Sequence, residues 1–524
     1  MTNKKTRTDN SPEIAVTEKA AVKVAACEFP PSAALEPCTI VIFGASGDLT
    51  SRKLMPALFN LFATGSLPEP FSIVGCSRTP LTDKDFRDRL AAACTAAGET
   101  SNASWRKFAA NIHYHPVSYD SQPTYVELAA FLKKLDRQKQ TQGNRIFYLA
   151  VPPALYPVIA EQIGLAGLAD EETDGTGWSR IVVEKPFGRD LQTAKELDHT
   201  LHLYFREQQI FRIDHYLAKE KVQNILMLRF ANILFEPLWN RNHIDYVGII
   251  AAEKLGVEHR AGYYEQTGVI RDMFQNHLMQ LMALTAMEPP SLFEADRVQD
   301  EKVKIFRSLK PYSAETLIDN MILGQYGPGT IDERDMPGYR QESGVSPTST
   351  IPTFAILRLF IDNWRWRDVP FYLASGKSLQ RKVTEIIVQF KKVPHSMFRD
   401  VLDENIIANR LVLGIFPREK ISLTFQTKVP GARACLRSVT MDFEYAHNFS
   451  GSPLGAYEKV LIDCIQGDHL LFWRQDGVEL TWSFLTPILV ECETCFNKGK
   501  YLHPYAAGSW GPAAAQQWLK LLMN

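Results

Sequence analysis

The stretch Phe211-Arg212-Ile213-Asp214-His215-Tyr216-Leu217-Ala218-Lys219-Glu220 gathers several reactive groups. Arg212, His215 and Lys219 are or can become positive, Asp214 and Glu220 are carboxylates, and Tyr216 is a phenol. Phe211, Ile213 and Leu217 stand between them, so apolar residues can anchor the segment while His215, Tyr216 and Lys219 point at one anion. His215 and Lys219 are four apart and share a face if a helix begins here. An ammonium, a ring N–H and a phenol O–H together suit a phosphate. The plainer alternative is a charged loop opening a helix. Downstream, Arg271-Asp272-Met273-Phe274-Gln275-Asn276-His277 brings a carboxylate and an imidazole into a long amphipathic segment that runs to about residue 287. On a helix Asp272 and His277 are five apart and therefore not stacked, yet both can border one cleft. A lone histidine on a helix is, taken by itself, more often a satisfied structural residue.

These groups need a frame, and the chain supplies one. Thr39-Ile40-Val41-Ile42-Phe43 is an unbroken apolar run of the kind a buried parallel strand requires. It ends in Gly44-Ala45-Ser46-Gly47-Asp48-Leu49, after which Leu54, Met55, Leu58, Phe59, Leu61 and Phe62 recur at helical spacing. Strand, glycine turn and helix form a dinucleotide-binding unit, with the glycines letting backbone approach a pyrophosphate at the helix N-terminus. A NAD site wants an acid after the second strand, for the ribose 2′-hydroxyl. Here Phe71-Ser72-Ile73-Val74 runs into Gly75-Cys76-Ser77-Arg78, without one. Arg78 with Ser77 suits a 2′-phosphate, so the expected dinucleotide is NADP. Residues 144–151 form another strand, and Arg180-Ile181-Val182-Val183-Glu184-Lys185-Pro186 delivers Lys185 to a strand end, where it can reach a sugar hydroxyl near the nicotinamide. Pro186 fixes the turn there, as a cis peptide if the geometry asks for it. Asp190 caps a helix reaching residue 204.

Past residue 287 the pattern changes. Residues 353–361, 383–393, 410–416, 420–428 and 438–446 alternate with period two, which predicts a mostly antiparallel sheet with one buried face. Residues 294–350, rich in Gly, Pro and charge, read as loop. Residues 456–498 and 512–522 read as helices covering a sheet. The expected fold is therefore an α/β Rossmann-like domain over residues 38–212 and an α+β domain over 213–524 with a large, mostly antiparallel sheet. Residues 1–37 read as a disordered extension.

Composition narrows the partners. A chain of 524 residues with 45% hydrophobic and 22% charged residues is long enough for two cores. With 58 basic against 59 acidic residues there is no global field for nucleic acid, and any anion site must be local. No apolar run reaches the roughly 20 residues of a membrane span. The Cys492-x-x-Cys495 pair lacks a second pair or nearby histidine for zinc and reads as two helix residues in a reducing cytoplasm.

Assembled in order, these motifs resemble the glucose-6-phosphate dehydrogenase family. The resemblance runs from about residue 39 to 512. It rests on Gly44-Ala45-Ser46-Gly47-Asp48-Leu49 with Lys53, Val74-Gly75 with Arg78, Glu184-Lys185-Pro186-Phe187-Gly188, Arg212 through Glu220, Ile270-Arg271-Asp272 with Gln275-Asn276-His277, and Ser375-Gly376-Lys377. It implies oxidation of C1 of glucose 6-phosphate with reduction of NADP, and a homodimer or homotetramer. It also implies that His277 is the general base, oriented by Asp214, which favours its charged form. His215, Tyr216 and Lys219 would hold the 6-phosphate with help from Lys377, and Lys185, Glu253 and Asp272 the sugar hydroxyls. Gly44, Ser46, Gly47, Asp48, Leu49, Lys53, Arg78 and Lys185 would line the dinucleotide, and no metal is needed. Ala218 replaces the usual glycine. Lys382 matches a second, structural NADP site of some members, but Gly414 and Ile386-Ile387 stand where that site is basic, so no structural NADP is expected. The loop before Arg381 is short, leaving its role open. Two rivals remain: a dehydrogenase of the glucose-fructose oxidoreductase type, which has no need of the phosphate cluster, and a non-catalytic NADP sensor, which has no need of Asp214 with His277.

Overall fold

The computed structural model describes residues 35–95, 102–171, 177–214, 216–217, 220–397, 406–431, 436–444, 454–494 and 501–523. Two sheets carry the molecule. The strands of the first are β1 (Cys38–Phe43), β2 (Phe71–Ser77), β3 (Ile112–Pro116), β4 (Arg145–Leu149), β5 (Ser179–Val183) and β6 (Ile210–Ile213). The second is built from β7 (Ile244–Ala252), β8 (Met321–Gly327), β11 (Phe354–Phe360), β12 (Pro370–Gly376), β13 (Val383–Phe390), β14 (Arg410–Phe416), β15 (Lys420–Lys428) and β16 (Leu436–Glu444), with β9 (Gly329–Ile331) and β10 (Arg334–Met336) as a small separate ribbon. Late in the chain, β17 (Phe472–Trp473) joins the first sheet and β18 (Leu502–Ala506) the second.

The first sheet runs β3-β2-β1-β4-β5-β6-β17. Its first six strands are parallel, and β17 pairs antiparallel with β6. Every residue of β1 and β2 is buried, as the unbroken apolar runs require when helices cover both faces. The strand order reverses at β1, between β2 and β4, so the crevice outside their carboxyl ends is the place for a dinucleotide. The expected cap is present: Asp190 Oδ1 accepts from Thr193 N at 2.8 Å and opens the Leu191–His202 helix.

The second sheet runs β16-β15-β14-β13-β7-β12-β11-β8-β18, and six of its eight pairings are antiparallel. Its two parallel pairings, β7 with β12 and β8 with β18, involve segments whose strands period-two alternation did not reveal. β7 and β12 lie in the middle of the sheet and are buried along almost their whole length, so they read as apolar runs rather than alternations. The loop expected over 294–350 is corrected. It contains the Ala295–Arg307 helix, the short Ala314–Ile318 helix and β8 to β10. The helix was hidden by its charge, although Val298, Ile305 and Phe306 face the core; β8 was hidden by Gly324 and Gly327.

One core cluster spans both sheets, from Val41, Phe43 and Phe147 in the first to Val247, Leu357 and Phe371 in the second, and each sheet has a further cluster of its own. Between them lies the segment 270–286. It is not amphipathic as expected: residues 272–286 are all buried, including Gln275, Asn276 and Gln280. Residues 1–34, including most of the predicted extension, lie outside the described residues, as do His215, Ala218, Lys219 and Cys495. No helix among the described residues is long and apolar enough to cross a membrane.

Candidate active site

Two pairs of parallel strands and one helix converge. Val183 of β5 stands beside Arg212 of β6, so their C-terminal ends present Lys185 and Asp214 side by side. In the other sheet Ala252 of β7 stands beside Gly376 of β12, and the next residues are Glu253 and Lys377. The Ile270–Leu278 segment brings Asp272 and His277 between these ends. That segment is π-helical, which corrects the expected α-helical spacing: a wider turn with i→i+5 hydrogen bonds makes residues five apart near neighbours. Asp272 and His277 can thus address one lysine. Lys185 Nζ donates to Asp272 O at 3.0 Å and Oδ1 at 3.1 Å, and lies 3.1 Å from His277 Nε2. On the other side of the ring His277 Nδ1 is 2.6 Å from Asp214 Oδ1.

These distances fix the protons. Burial works against the charge on Lys185, but Asp272 overcomes it and the ammonium is held above its ordinary range. Lys185 therefore donates to Nε2, and the ring hydrogen sits on Nδ1, donating to Asp214. Burial likewise works to raise the Asp272 carboxyl, but Lys185 and Lys377 hold it well below the usual carboxylate range. Lys377 pairs with Glu253, and its Nζ is 4.0 Å from Asp272 Oδ2. His277 departs from expectation. Asp214 does pull its ring towards the charged form, yet desolvation is the larger effect and the ring lies below 6.5. A buried imidazole, neutral near pH 7 and with its Nε2 lone pair directed at a donor, is equipped to accept a proton.

The chain matches the N-terminal NAD-binding domain of glucose-6-phosphate dehydrogenase over residues 41–224 and the C-terminal domain of the same enzyme over 226–522. It is 46% identical over 482 residues to a glucose-6-phosphate 1-dehydrogenase of Aggregatibacter actinomycetemcomitans, covering 92% of this chain and 95% of that one. A relative of the same name in Treponema pallidum is 46% identical over 496 residues, covering 93% and 95%. A solved glucose-6-phosphate dehydrogenase in complex with glucose 6-phosphate superposes with a TM-score of 0.84 at 35% identity, covering 93% of this chain and 97% of that one. This chain belongs to the glucose-6-phosphate dehydrogenase family.

The remaining expected residues of the family site fall into three groups. Tyr216 lies flat against His277, ring centroids 4.1 Å apart, and its hydroxyl bonds Thr384 at the start of β13. Its phosphate-cluster companions His215 and Lys219 lie outside the described residues. At the dinucleotide end, Gly44 has φ +83°, and a Cβ there would overlap the carbonyl oxygen of Ala150 beyond β4. Gly47 N returns to Gly44 O at 2.9 Å, which tightens the turn; Leu49 is half-buried, and Ser46, Asp48 and Lys53 are exposed. A dinucleotide fits this cradle, because only glycine permits the left-handed turn and the close strand approach. Arg78 is exposed, 5.6 Å from the Tyr119 ring. Ser77 is a correction: it is buried and bonded to the Tyr114 hydroxyl at 2.6 Å, which leaves Arg78 as the exposed member of that pair.

Elsewhere, Arg381 stacks over Trp510 at 5.3 Å and Lys382 over Phe416 at 4.6 Å, while Ile386 and Ile387 belong to the core. Cys492 sits on the Gln475–Thr494 helix, as expected. Among the described residues one cluster has metal-ligand spacing: Asp198, His202 and Glu207. Arg212 bridges its carboxylates, at 2.6 Å from Asp198 and 2.8 Å from Glu207, and this network pins β6 two residues before Asp214. The sequence analysis missed Glu184, half-buried and bonded by the Tyr148 hydroxyl at 2.7 Å, and Tyr263, 3.5 Å from Asp272. The Glu-Lys-Pro motif contained the signal for Glu184; nothing local marked Tyr263.

Proposed function

We propose that this chain is a glucose-6-phosphate dehydrogenase that oxidises the C1 hydroxyl of glucose 6-phosphate to the 6-phospho-lactone with NADP. The observation that carries this reading is the line Asp214–His277–Lys185–Asp272, in which a neutral buried imidazole turns its basic nitrogen to a fixed hydrogen-bond donor.

The C1 hydroxyl takes the place of Lys185 at His277 Nε2. His277 accepts the hydroxyl proton as the C–O bond becomes a carbonyl, and Asp214, hydrogen-bonded at Nδ1, stabilises the imidazolium that forms. When bound, the nicotinamide accepts the hydride that leaves C1. Lys185, freed from Nε2, stays anchored on Asp272 and donates to a sugar hydroxyl. Asp272, Glu253 and Lys377 form an alternating line of charge suited to the other hydroxyls, with Lys377 also within reach of the phosphate end. His215, Tyr216 and Lys219 hold the 6-phosphate. Gly44, Ser46, Gly47, Asp48, Leu49 and Lys53 hold the pyrophosphate side of NADP, and Arg78 its 2′-phosphate. We assign the protein to the cytoplasm, in keeping with free cysteines at Cys38, Cys76, Cys94, Cys464 and Cys492. A homodimer or homotetramer through the second sheet is in keeping with the half-open face of β15 and β16, where Met441 is exposed.

The test is reduction of the dinucleotide, followed by its absorbance, with NADP or NAD crossed against glucose 6-phosphate or free glucose. Turnover only with NADP and the phosphorylated sugar is expected. Equal rates with free glucose would move the reading to a sugar dehydrogenase of another type, and binding of NADP without turnover to a sensor.

A further inference from the structure

Lys185 must meet Asp272 O, Asp272 Oδ1 and His277 Nε2, all within 3.1 Å, from a stretch of chain that is neither helix nor strand. Residues 184–190 connect β5 to the Leu191–His202 helix. A loop of that kind has no ladder of its own to fix it, so its backbone groups need partners from elsewhere.

The Gln475–Thr494 helix provides them. Trp482, fully buried, donates its indole N–H to Phe187 O at 2.8 Å. One turn on, Thr486 Oγ1 accepts from Leu191 N at 2.9 Å. Near the helix end Glu493 pairs with Arg271, through Nη2 at 3.1 Å and also through Nη1. Arg271 in turn donates from Nε to Arg189 O at 2.8 Å. Positions 482, 486 and 493 are separated by about one and about two further turns, so they form one stripe of the helix. That stripe engages Phe187, Arg189 and Leu191, alternate residues directly after Lys185 and Pro186. Gly188 lets the loop lie close at φ +82°, since a Cβ there would stand 2.5 Å from Ala194 N.

The third contact does more than hold the loop. Arg271 is the chain neighbour of Asp272, whose carbonyl and carboxylate both accept from Lys185. One helix stripe therefore ties down the chain that follows the ammonium and the chain that precedes its acceptor.

We propose that Trp482, Thr486 and the Arg271–Glu493 pair are positioning residues, a clamp that sets where Lys185 stands against Asp272 and His277. They act through the loop and not on the substrate. Without the indole N–H, the Phe187 carbonyl is left in a buried place with no donor, and the loop relaxes towards another partner. Lys185 then delivers its charge off line when the sugar hydroxyl takes its place at His277.

The inference rests on the part given to Lys185 above, and a double-mutant cycle separates the two. Trp482→Phe keeps an aromatic ring in the core and removes the N–H; it should lower kcat about tenfold. In a Lys185→Met background the same change should alter kcat by less than about twofold, because no ammonium is left to position. A tenfold loss in both backgrounds would mean that Trp482 serves the fold alone, and would overturn the proposal while Lys185 keeps its role. An unchanged kcat in the Trp482→Phe single variant would overturn it equally. If Lys185→Met alone leaves kcat intact, the assignment of Lys185 falls and the clamp falls with it. Thermal denaturation shows which variants fold. Should Trp482→Phe not fold, Thr486→Val and Glu493→Gln, the latter at a side chain 45% exposed, take its place in the cycle. Each should lower kcat about threefold with Lys185 present and leave it unchanged without it, and equal losses in both backgrounds would again overturn the clamp.

Discussion

His277 owes its chemistry to being buried. A solvent-exposed imidazole beside a carboxylate would titrate upward, but here desolvation outweighs Asp214 and keeps the ring neutral. His277→Asn should therefore lower kcat by a factor of roughly 10² to 10⁴ while changing KM far less, measured by steady-state kinetics at saturating NADP. In the parent, kcat/KM should fall on the acid side with a midpoint below 6.5, because a base whose folded value is depressed is lost only after a free histidine would already be charged. Arg78 gives a second prediction. With Ser77 bonded to Tyr114, the guanidinium is the cationic group beyond β2, so Arg78→Ala should raise KM for NADP by about tenfold and leave KM for NAD within a factor of about two. A variant that keeps its NADP preference would remove Arg78 from that role. The reactive types of Asp214, His277, Lys185 and Asp272 were legible in the sequence. Their charge states were not, because desolvation is a property of the assembled core and not of any motif.

At the scale of elements, the unbroken apolar runs and the glycine turn were readable because burial on both faces leaves one pattern in the sequence. Gly44 shows how strict that turn is. Gly44→Ala places a side chain at φ +83°, costing about 1 kcal/mol for the backbone alone, and drives Cβ into the Ala150 carbonyl. The expected result is a lower midpoint in thermal denaturation and loss of NADP binding in a fluorescence titration; unchanged binding would show that the turn is not the cradle. The π-helical turn was not readable. Residues 270–278 mix apolar and polar residues as an amphipathic α-helix would, and nothing in that pattern marks a wider turn or full burial. The Ala295–Arg307 helix was missed for another reason, since its charges on the open face outnumbered the apolar residues that reveal the buried one.

For the whole molecule, the predicted partition into a dinucleotide unit and a sheet unit describes the layers but not their dependence on each other. The C-terminal part reaches back: β17 completes the edge of the first sheet, and Arg180 on β5 donates to Cys464 O at 2.7 Å and Ile465 O at 2.6 Å at the end of the Ala456–Gln466 helix. A core continuous from Val41 to Phe371 ties the two sheets together, although each sheet also packs a further cluster of its own. Urea should therefore abolish tryptophan fluorescence structure and NADP binding at the same midpoint, whereas two separated midpoints would mean that the dinucleotide unit stands alone. This interdependence left little trace in the sequence, because β17 is two residues long and nothing about Phe472-Trp473 announces a partner at residue 213.

That late pairing has a consequence during synthesis. The ribosome releases β6 long before β17, and until Phe472-Trp473 emerges the hydrogen-bonding edge of β6 has no neighbour on its outer side. An open parallel-sheet edge on a nascent chain invites pairing with other chains. Crowded polysomes making this enzyme should thus depend on holding chaperones until Phe472-Trp473 arrives to close the sheet.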